Sequence, residues 1–361
     1  YEPITLATAQ TRQAENEAFW RDNSYGKSTL TTTYTTVVTL PKPGGDYVNN
    51  FGALIADARA AAVAANPAWA HTNFNFQTVI TNFATNAQGA GFPYSGIAQL
   101  GGPFSHVLRN DIGVRNASHE YGHNLGLNHS GYWLTDAATP IGPDSAPGGY
   151  AGDAADDEVN EYGHKFTVMG SQTGVGDFDG GRAHYSASDK NLIDWLDTAD
   201  GDIATTTTSG TFRLYRHDVR AADFGALSTG VPRAIKIDLP ATAPNSLTPP
   251  YKYWLNYRLL PTNGIAGSWL PHGLQVDWRR DGRGFRSVQL DMTPYSRDTG
   301  PYGTNPGPAA DNAVARLATP ARTSTSHPSP RAAPPPTSGS TSWSTWAPRP
   351  PTPRPRSRVS P

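Results

Sequence analysis

The spacing of apolar and polar residues predicts a mixed first half of the chain. Ser28–Leu40, rich in Thr, Val and Tyr and followed by proline, predicts a strand. Phe51–Asn66 has apolar residues at helical spacing and precedes a proline, which predicts a helix. Asn75–Phe83 predicts a second strand. Gly96–Leu108, interrupted by Gly-Gly-Pro, predicts one broken edge strand or two short strands.

Beyond these elements, a helix is expected to start near Asn110–Val114, and a short one is expected at Ser186–Trp195. The following hundred residues contain apolar runs separated by Pro or Gly, which predict five strands. These runs are Thr211–Tyr215, Ala234–Leu239, Tyr253–Leu259, Gly273–Trp278 and Val288–Met292. The fold class expected from this order is α+β, with a mixed sheet first and a β-rich subdomain after it.

The last sixty residues differ in composition from the rest. Fifteen of the 32 prolines follow Gly300, and seven arginines accompany a single aspartate, a net charge of +6. Such a segment buries too little apolar surface to fold, so 301–361 predicts a disordered tail. One hypothesis is that this basic tail binds an acidic cell-wall polymer. Another is that its Arg/Pro/Ala bias comes from a shifted reading frame in GC-rich DNA.

Whole-chain composition excludes several classes of protein. A net charge of −1 gives no case for nucleic-acid binding, and the absence of cysteine removes disulfides, zinc–thiolate sites and thiol nucleophiles. No apolar run approaches the length of a membrane span. The chain opens with Tyr1, so we expect a processed or truncated form from which any signal segment is already gone.

The strongest chemical signal is the sequence HEYGHNLGLNH at residues 119–129. Residues four apart share one face of a helix, so His119 and His123 can direct nitrogens at one point, while Glu120 can reach a water at that point. Gly126 lets the chain leave the helix with positive φ and return His129 as a third ligand. Three protein ligands leave a fourth zinc position open, as in a catalytic site. A helix that merely carries polar residues explains the three clustered histidines poorly.

The segment from Gly131 to Gly163 is rich in Gly, Ala, Pro and acidic residues. A solvated loop is one interpretation. The other is a calcium site, because Ca²⁺ takes several carboxylate and carbonyl oxygens from a flexible loop. The candidate calcium ligands are Asp153, Asp156, Asp157, Glu158 and Glu161, with Asp177 and Asp179 as a weaker pair.

Met169, forty residues after His129, extends the motif into a family pattern. HEYGHNLGLNHS, EYGHKFTVMG, SASDKNLIDWL and YWLNYR together resemble the metzincin clan of zinc proteases, and most of all the gametolysin-like peptidases. The resemblance covers roughly Ser28 to Met292. It implies a metzincin-like catalytic domain at 1–200. The strand runs place the β-rich subdomain at 201–300, and composition places the tail at 301–361.

The resemblance also implies roles for particular residues. His119, His123 and His129 correspond to zinc ligands, Glu120 to the general base, and Met169 to the methionine of a turn beneath the metal. Some branches have a tyrosine ligand two residues after that methionine, but Ser171 stands here, so none is expected from this turn. His164 receives no role and is expected in a surface or loop position.

The function expected from the resemblance is that of a secreted zinc endopeptidase acting on extracellular or cell-wall proteins. Two alternatives remain at this point. One is a zinc hydrolase of another amide or ester, because the site alone does not choose the substrate. The other is a wall-binding module with a vestigial site, which the four intact reactive residues disfavour.

Overall fold

The computed structural model describes residues 3–133, 159–164, 166–170, 184–219, 230–238, 251–258, 274–280, 282, 285–290 and 340–344. Within these ranges the molecule combines four α-helices with strands in three sheets, so the expected α+β class is confirmed. The helices are α1 (Leu6–Asn23), α2 (Phe51–Ala65), α3 (Val114–Asn124) and α4 (Ala187–Leu192). In the described ranges no helix is long and apolar enough to cross a bilayer.

Helix α1 was not predicted, because much of its buried face is polar. Gln13, Asn16 and Asn23 are buried and make hydrogen bonds: Tyr121 donates to Gln13, and Asn16 donates to the carbonyl of Ile112. Thr5 caps the helix by accepting from the backbone N–H of Thr8. A helix that buries amide side chains lacks the regular spacing of apolar residues from which a helix is predicted. The other three helices occur where they were expected, with shifted ends.

The first sheet contains β1 (Gln77–Thr81), β2 (Gly96–Ala98) and β3 (Phe104–Leu108) in the order β1-β3-β2. The run at Gly96–Leu108 therefore forms two short strands, of which β3 is central and β2 lies at the edge. Strand β3 is parallel to β1 and antiparallel to β2.

The strand predicted at Ser28–Leu40 is wrong. These residues alternate between half-buried and exposed but belong to none of the described strands. Leu30 and Leu40 pack against two different apolar clusters. The segment is therefore held by side-chain packing, whereas a strand would be held by backbone hydrogen bonds. The alternation in the sequence thus reports one-sided burial.

The second sheet has seven strands in the order β5-β4-β11-β10-β9-β8-β6. They are β4 (Gly131–Trp133), β5 (Val159–Asn160), β6 (Ile203–Thr206), β8 (Ala234–Asp238), β9 (Tyr251–Tyr257), β10 (Leu274–Arg280) and β11 (Val288–Gln289). Strands β8 to β11 confirm four of the five predicted runs. Strands β4 and β5 come from the first 200 residues, so this sheet includes strands from both sides of the expected boundary at residue 200.

The fifth predicted run forms β7 (Thr211–Tyr215), which pairs antiparallel with β12 (Ser340–Ser344). The expectation of disorder is therefore wrong for residues 340–344, where alternating Ser, Thr and Trp supply a strand pattern. The remainder of the tail, including every basic residue proposed to bind a wall polymer, lies outside the described residues.

Candidate metal centre

The end of α3 brings the three motif histidines together. Gly126 has φ +93°, in the left-handed region that favours glycine. Its N–H donates to the carbonyl of His123, and the N–H of Leu127 donates to that of Gly122, at 2.8 and 2.9 Å. These two bonds form a Schellman motif, which ends the helix and reverses the chain toward His129. Leu127 is fully buried and anchors the reversal.

The three imidazoles meet through their Nε2 atoms. His123 Nε2 lies 3.1 Å from His119 Nε2 and 3.0 Å from His129 Nε2. The ligand atoms of all three residues lie within 4.8 Å of one another, and each side chain is half-buried. The structure thus brings together the three histidines that the sequence selected. We call them the histidine triad.

Each Nδ1 atom in the triad has an oxygen partner on the opposite side of its ring. Nδ1 of His119 donates to the carbonyl of Val168, and Nδ1 of His123 to the carbonyl of Leu127, both at 2.8 Å. Nδ1 of His129 donates to Oε1 of Glu161 at 2.5 Å. A carbonyl oxygen can only accept a hydrogen bond, so the proton of His119 and of His123 must sit on Nδ1. Nε2 of each is then a lone-pair donor to a metal.

The donor set fits a metal ion. Nitrogen ligands lie about 2.0–2.1 Å from zinc, which puts two tetrahedral ligands about 3.3 Å apart, close to the spacing of the Nε2 atoms. Metal-ligating histidines usually donate their other N–H to a carbonyl or carboxylate, as all three do here. The triad could therefore hold a metal ion.

Burial keeps the triad neutral, as metal binding requires. Burial, with the neighbouring His123, lowers the pKa of both His119 and His129 to about 3. The pKa of His123 is also lowered, again mainly by burial. Three buried neutral imidazoles with converging lone pairs repel one another, and a cation relieves that repulsion.

Glu120 is 5% exposed and lies on the face of α3 that meets β2. A Cβ added to Gly96 would lie 2.6 Å from Oε1 of Glu120, so a larger residue there would have to displace the carboxyl. Burial raises the pKa of Glu120 to about 8. The metal-free carboxyl is therefore mostly protonated at neutral pH, and a cation bound nearby would favour its charged form.

Met169 lies in a tight turn beneath α3. The N–H of Gly170 donates to the carbonyl of Thr167 at 3.0 Å, which closes the turn. Met169 is fully buried, and a Cβ at Gly122 would lie 2.4 Å from its sulfur. The turn also supplies the Val168 carbonyl that orients His119. It therefore supports both the helix and one member of the triad.

Sequence reasoning missed the role of Glu161, which it had grouped with the acidic residues of a calcium loop. The structure turns this carboxylate toward His129 instead. The other six candidate calcium ligands lie outside the described residues. Glu161 also meets Arg286, which follows β10. Pairing between distant strands creates both contacts, so local spacing carries little signal of either.

Tyr162 is a second residue that the sequence did not select. Its ring centroid lies 3.9 Å from that of His129 and 5.9 Å from that of His119. Its φ of +61° is uncommon for a bulky residue, and such backbone strain concentrates at functional sites. At 40% exposure, the ring borders the triad on its solvent side.

His164 was expected at the surface or in a loop, and the expectation of a surface position is wrong. His164 is fully buried, and its Nδ1 accepts from the backbone N–H of Phe166 at 3.1 Å. Its Nε2 therefore carries the proton and donates to Asp277 at 3.0 Å. Asn256 donates to the other oxygen of Asp277. His164 thus joins the segment before Met169 to the second sheet.

Comparison with protein-family models, curated proteins and solved structures finds no match for this chain. The residues of the site themselves therefore have to support any functional assignment.

Proposed function

We propose that the protein is a zinc-dependent endopeptidase with His119, His123 and His129 as metal ligands and Glu120 as general base. The observation that carries the proposal is the orientation of the triad. Each Nδ1 is held by an oxygen, the Nε2 atoms converge, and the buried Glu120 directly follows His119 on α3. A zinc ion bound there would acidify a water molecule and polarise the scissile carbonyl.

Glu120 does the proton transfer in this proposal. Its carboxylate accepts a proton from the attacking water and returns it to the leaving amine. Gly96 leaves space for the carboxyl beside β2. Burial raises the pKa of Glu120 to about 8, so a zinc ion bound at the triad would favour the charged form that accepts the proton. Val168, Leu127 and Glu161 hold the three imidazoles in place, so that little reorganisation accompanies turnover.

The position of β2 favours a polypeptide as the substrate. It is one of the two outer strands of the described first sheet, and its Gly96 lies against Glu120. An extended peptide can add to an edge strand through main-chain hydrogen bonds. A chain paired with β2 would pass beside Glu120 and present a peptide bond to the triad. Secretion and action on cell-wall proteins rest on the resemblance to gametolysin-like peptidases.

Digestion of casein and gelatin by the purified protein tests this function. We expect cleavage that a chelator abolishes and added zinc restores. Cleavage that persists after complete removal of metal would contradict the proposal. Hydrolysis of small esters without cleavage of either protein would instead favour the alternative of a zinc hydrolase with another substrate.

A further inference from the structure

We propose that Arg286 is a positioning residue that holds His129 through Glu161, so that the second sheet sets the metal affinity of the triad. The proposal rests on the proposed function in taking the triad as a zinc site. The new element is that zinc affinity depends on Arg286, a residue more than 150 positions after the motif in the sequence.

Both contacts are made by the same oxygen atom. Oε1 of Glu161 accepts from Nδ1 of His129 at 2.5 Å and from Nη2 of Arg286 at 3.3 Å. All three side chains are largely buried, with 14–18% exposure. Charge-assisted hydrogen bonds of this kind strengthen when water is partly excluded. Arg286 therefore limits the positions that the carboxylate can adopt beside His129.

The strand register brings Arg286 and Glu161 to opposite sides of the chain that carries His129. Strand β4 is parallel to β11, with Gly131 opposite Val288. The N–H of Gly131 donates to the carbonyl of Ser287 at 2.8 Å as part of this first pair. His129 and Arg286 each lie two residues before the pair, on the two adjacent segments. On the other edge of β4, the antiparallel strand β5 leads directly into Glu161.

His129 needs this support more than the other two ligands do. The partners of His119 and His123 are backbone carbonyls in a tight turn and a helix cap, both fixed by local hydrogen bonds. The partner of His129 is a glutamate side chain with several rotatable bonds. Holding such a side chain in one rotamer has an entropic cost, and Arg286 restricts the rotamers of Glu161.

A surface ion pair elsewhere in the chain provides a matched control. Arg12 and Glu15 on α1 lie 3.2 Å apart, close to the Arg286–Glu161 distance. They are 51% and 31% exposed, and exposed pairs contribute little to stability. Substitutions in this pair remove the same charges, and neither residue hydrogen-bonds to the triad.

The test is the zinc dissociation constant of the full-length protein, measured by chelator competition. We expect Glu161→Gln and Arg286→Gln each to weaken zinc binding by about 10- to 100-fold, the usual effect of losing a partner of a ligating histidine. Arg286→Lys should retain much of the affinity. Arg286→Gln should add little in a Glu161→Gln background, because both changes act through one carboxylate. Arg12→Gln and Glu15→Gln should leave zinc affinity unchanged.

Urea unfolding of the metal-free variants and cobalt absorption spectra separate positioning from general stability. A positioning role predicts altered cobalt spectra for Glu161→Gln and Arg286→Gln. The proposal is overturned if Arg286→Gln binds zinc as the wild type does, or if the two substitutions add in full. It is also overturned if Arg286→Gln loses stability without any change in the cobalt spectrum. If the wild type cleaves no peptide but the Glu161 and Arg286 variants still bind zinc more weakly, the positioning role of Arg286 is supported. The endopeptidase function is then rejected.

Discussion

Two groups of histidines in the described part of this molecule have opposite organisation. In the histidine triad, three Nε2 lone pairs face one another. In a second group, which we call the lysine cluster (Tyr25, His184, Lys190 and His217), the side-chain nitrogen of Lys190 lies among the acceptors. Nζ of Lys190 donates to Nδ1 of His184 at 3.0 Å, to the hydroxyl of Tyr25 at 2.9 Å and to the carbonyl of His217 at 3.2 Å.

This difference shows which property lets a group of histidines hold a metal ion. The lysine cluster contains its own donor, the covalently attached Nζ of Lys190, which meets the neighbouring acceptors. Burial lowers the pKa of Lys190 well below its ordinary value, whereas nearby Asp218 opposes that change. The triad offers its lone pairs to a cation that must come from outside. The orientation of the ring nitrogens thus distinguishes the two groups better than the number of histidines does.

The largest expected difference is in metal binding. His123→Ala should weaken zinc affinity by more than about 100-fold, because it removes a ligand rather than a ligand's partner. His184→Ala, which removes a histidine from the lysine cluster, should leave zinc affinity unchanged. Chelator competition on the two variants makes the measurement. Equal losses in both would abolish the distinction between the groups.

For the free energy of unfolding, we expect a large loss from a substitution in the lysine cluster. Lys190→Ala removes a fully buried side chain and three hydrogen bonds, so the free energy of unfolding should fall by about 3 kcal/mol. Lys27→Ala, at an exposed ion pair with Asp200, should cost less than about 1 kcal/mol. Urea denaturation of both variants measures these costs. A loss of zinc affinity in Lys190→Ala that matches His123→Ala would show that the lysine cluster belongs to the metal site.

His106, which belongs to neither group, predicts how the folding stability changes with pH. His106 in β3 contacts Thr81 and Tyr94, and burial lowers its pKa to about 4. As the pH falls below about 6.5, the unfolded chain takes up this proton first, so stability is lost between pH 6.5 and 4. At pH 5 the loss from this residue should be about 2 kcal/mol relative to pH 7. His106→Gln should show a smaller stability difference between these two pH values, and an unchanged difference would refute the assignment.

The smallest expected effect comes from crowding Glu120, the proposed general base. In Gly96→Ala the new methyl group would press on Glu120, so turnover should fall by about 10-fold while zinc content stays constant. Gly52→Ala adds a methyl group in helix α2 where nothing lies within 4 Å, and it should keep full activity. Peptidase assays with metal analysis distinguish the two. Loss of zinc in Gly96→Ala would mean that the methyl group disturbs the triad as well.

The sequence predicted the parts of the site that one continuous segment determines. His119, His123 and His129 lie within eleven residues, and a helix followed by a glycine reversal is enough to bring them together. Met169 was found through the resemblance. Glu161 and Arg286 could not be selected in this way, because they meet His129 only through the pairing of β4 with β5 and β11.

The fold shows a similar limit. Runs with strong apolar content, such as those forming α2 and β8 to β10, were predicted with modest errors at their ends. Helix α1 escaped prediction because it buries amides, and β4 and β5 because they are two or three residues long. Ser28–Leu40 has the alternation of a strand without the ladder. The hydrophobic pattern of a segment indicates which residues are buried. Whether the segment pairs as a strand depends on other parts of the chain.

The proposed zinc endopeptidase site is best tested by parallel metal analysis and peptide cleavage on wild type and Glu120→Gln. Both proteins should retain zinc. The wild type should cleave casein, and the variant should be slower by at least about 100-fold, because the proton acceptor is lost while the three ligands remain. Equal cleavage by the two proteins, or cleavage by a wild type that holds no metal, would contradict it.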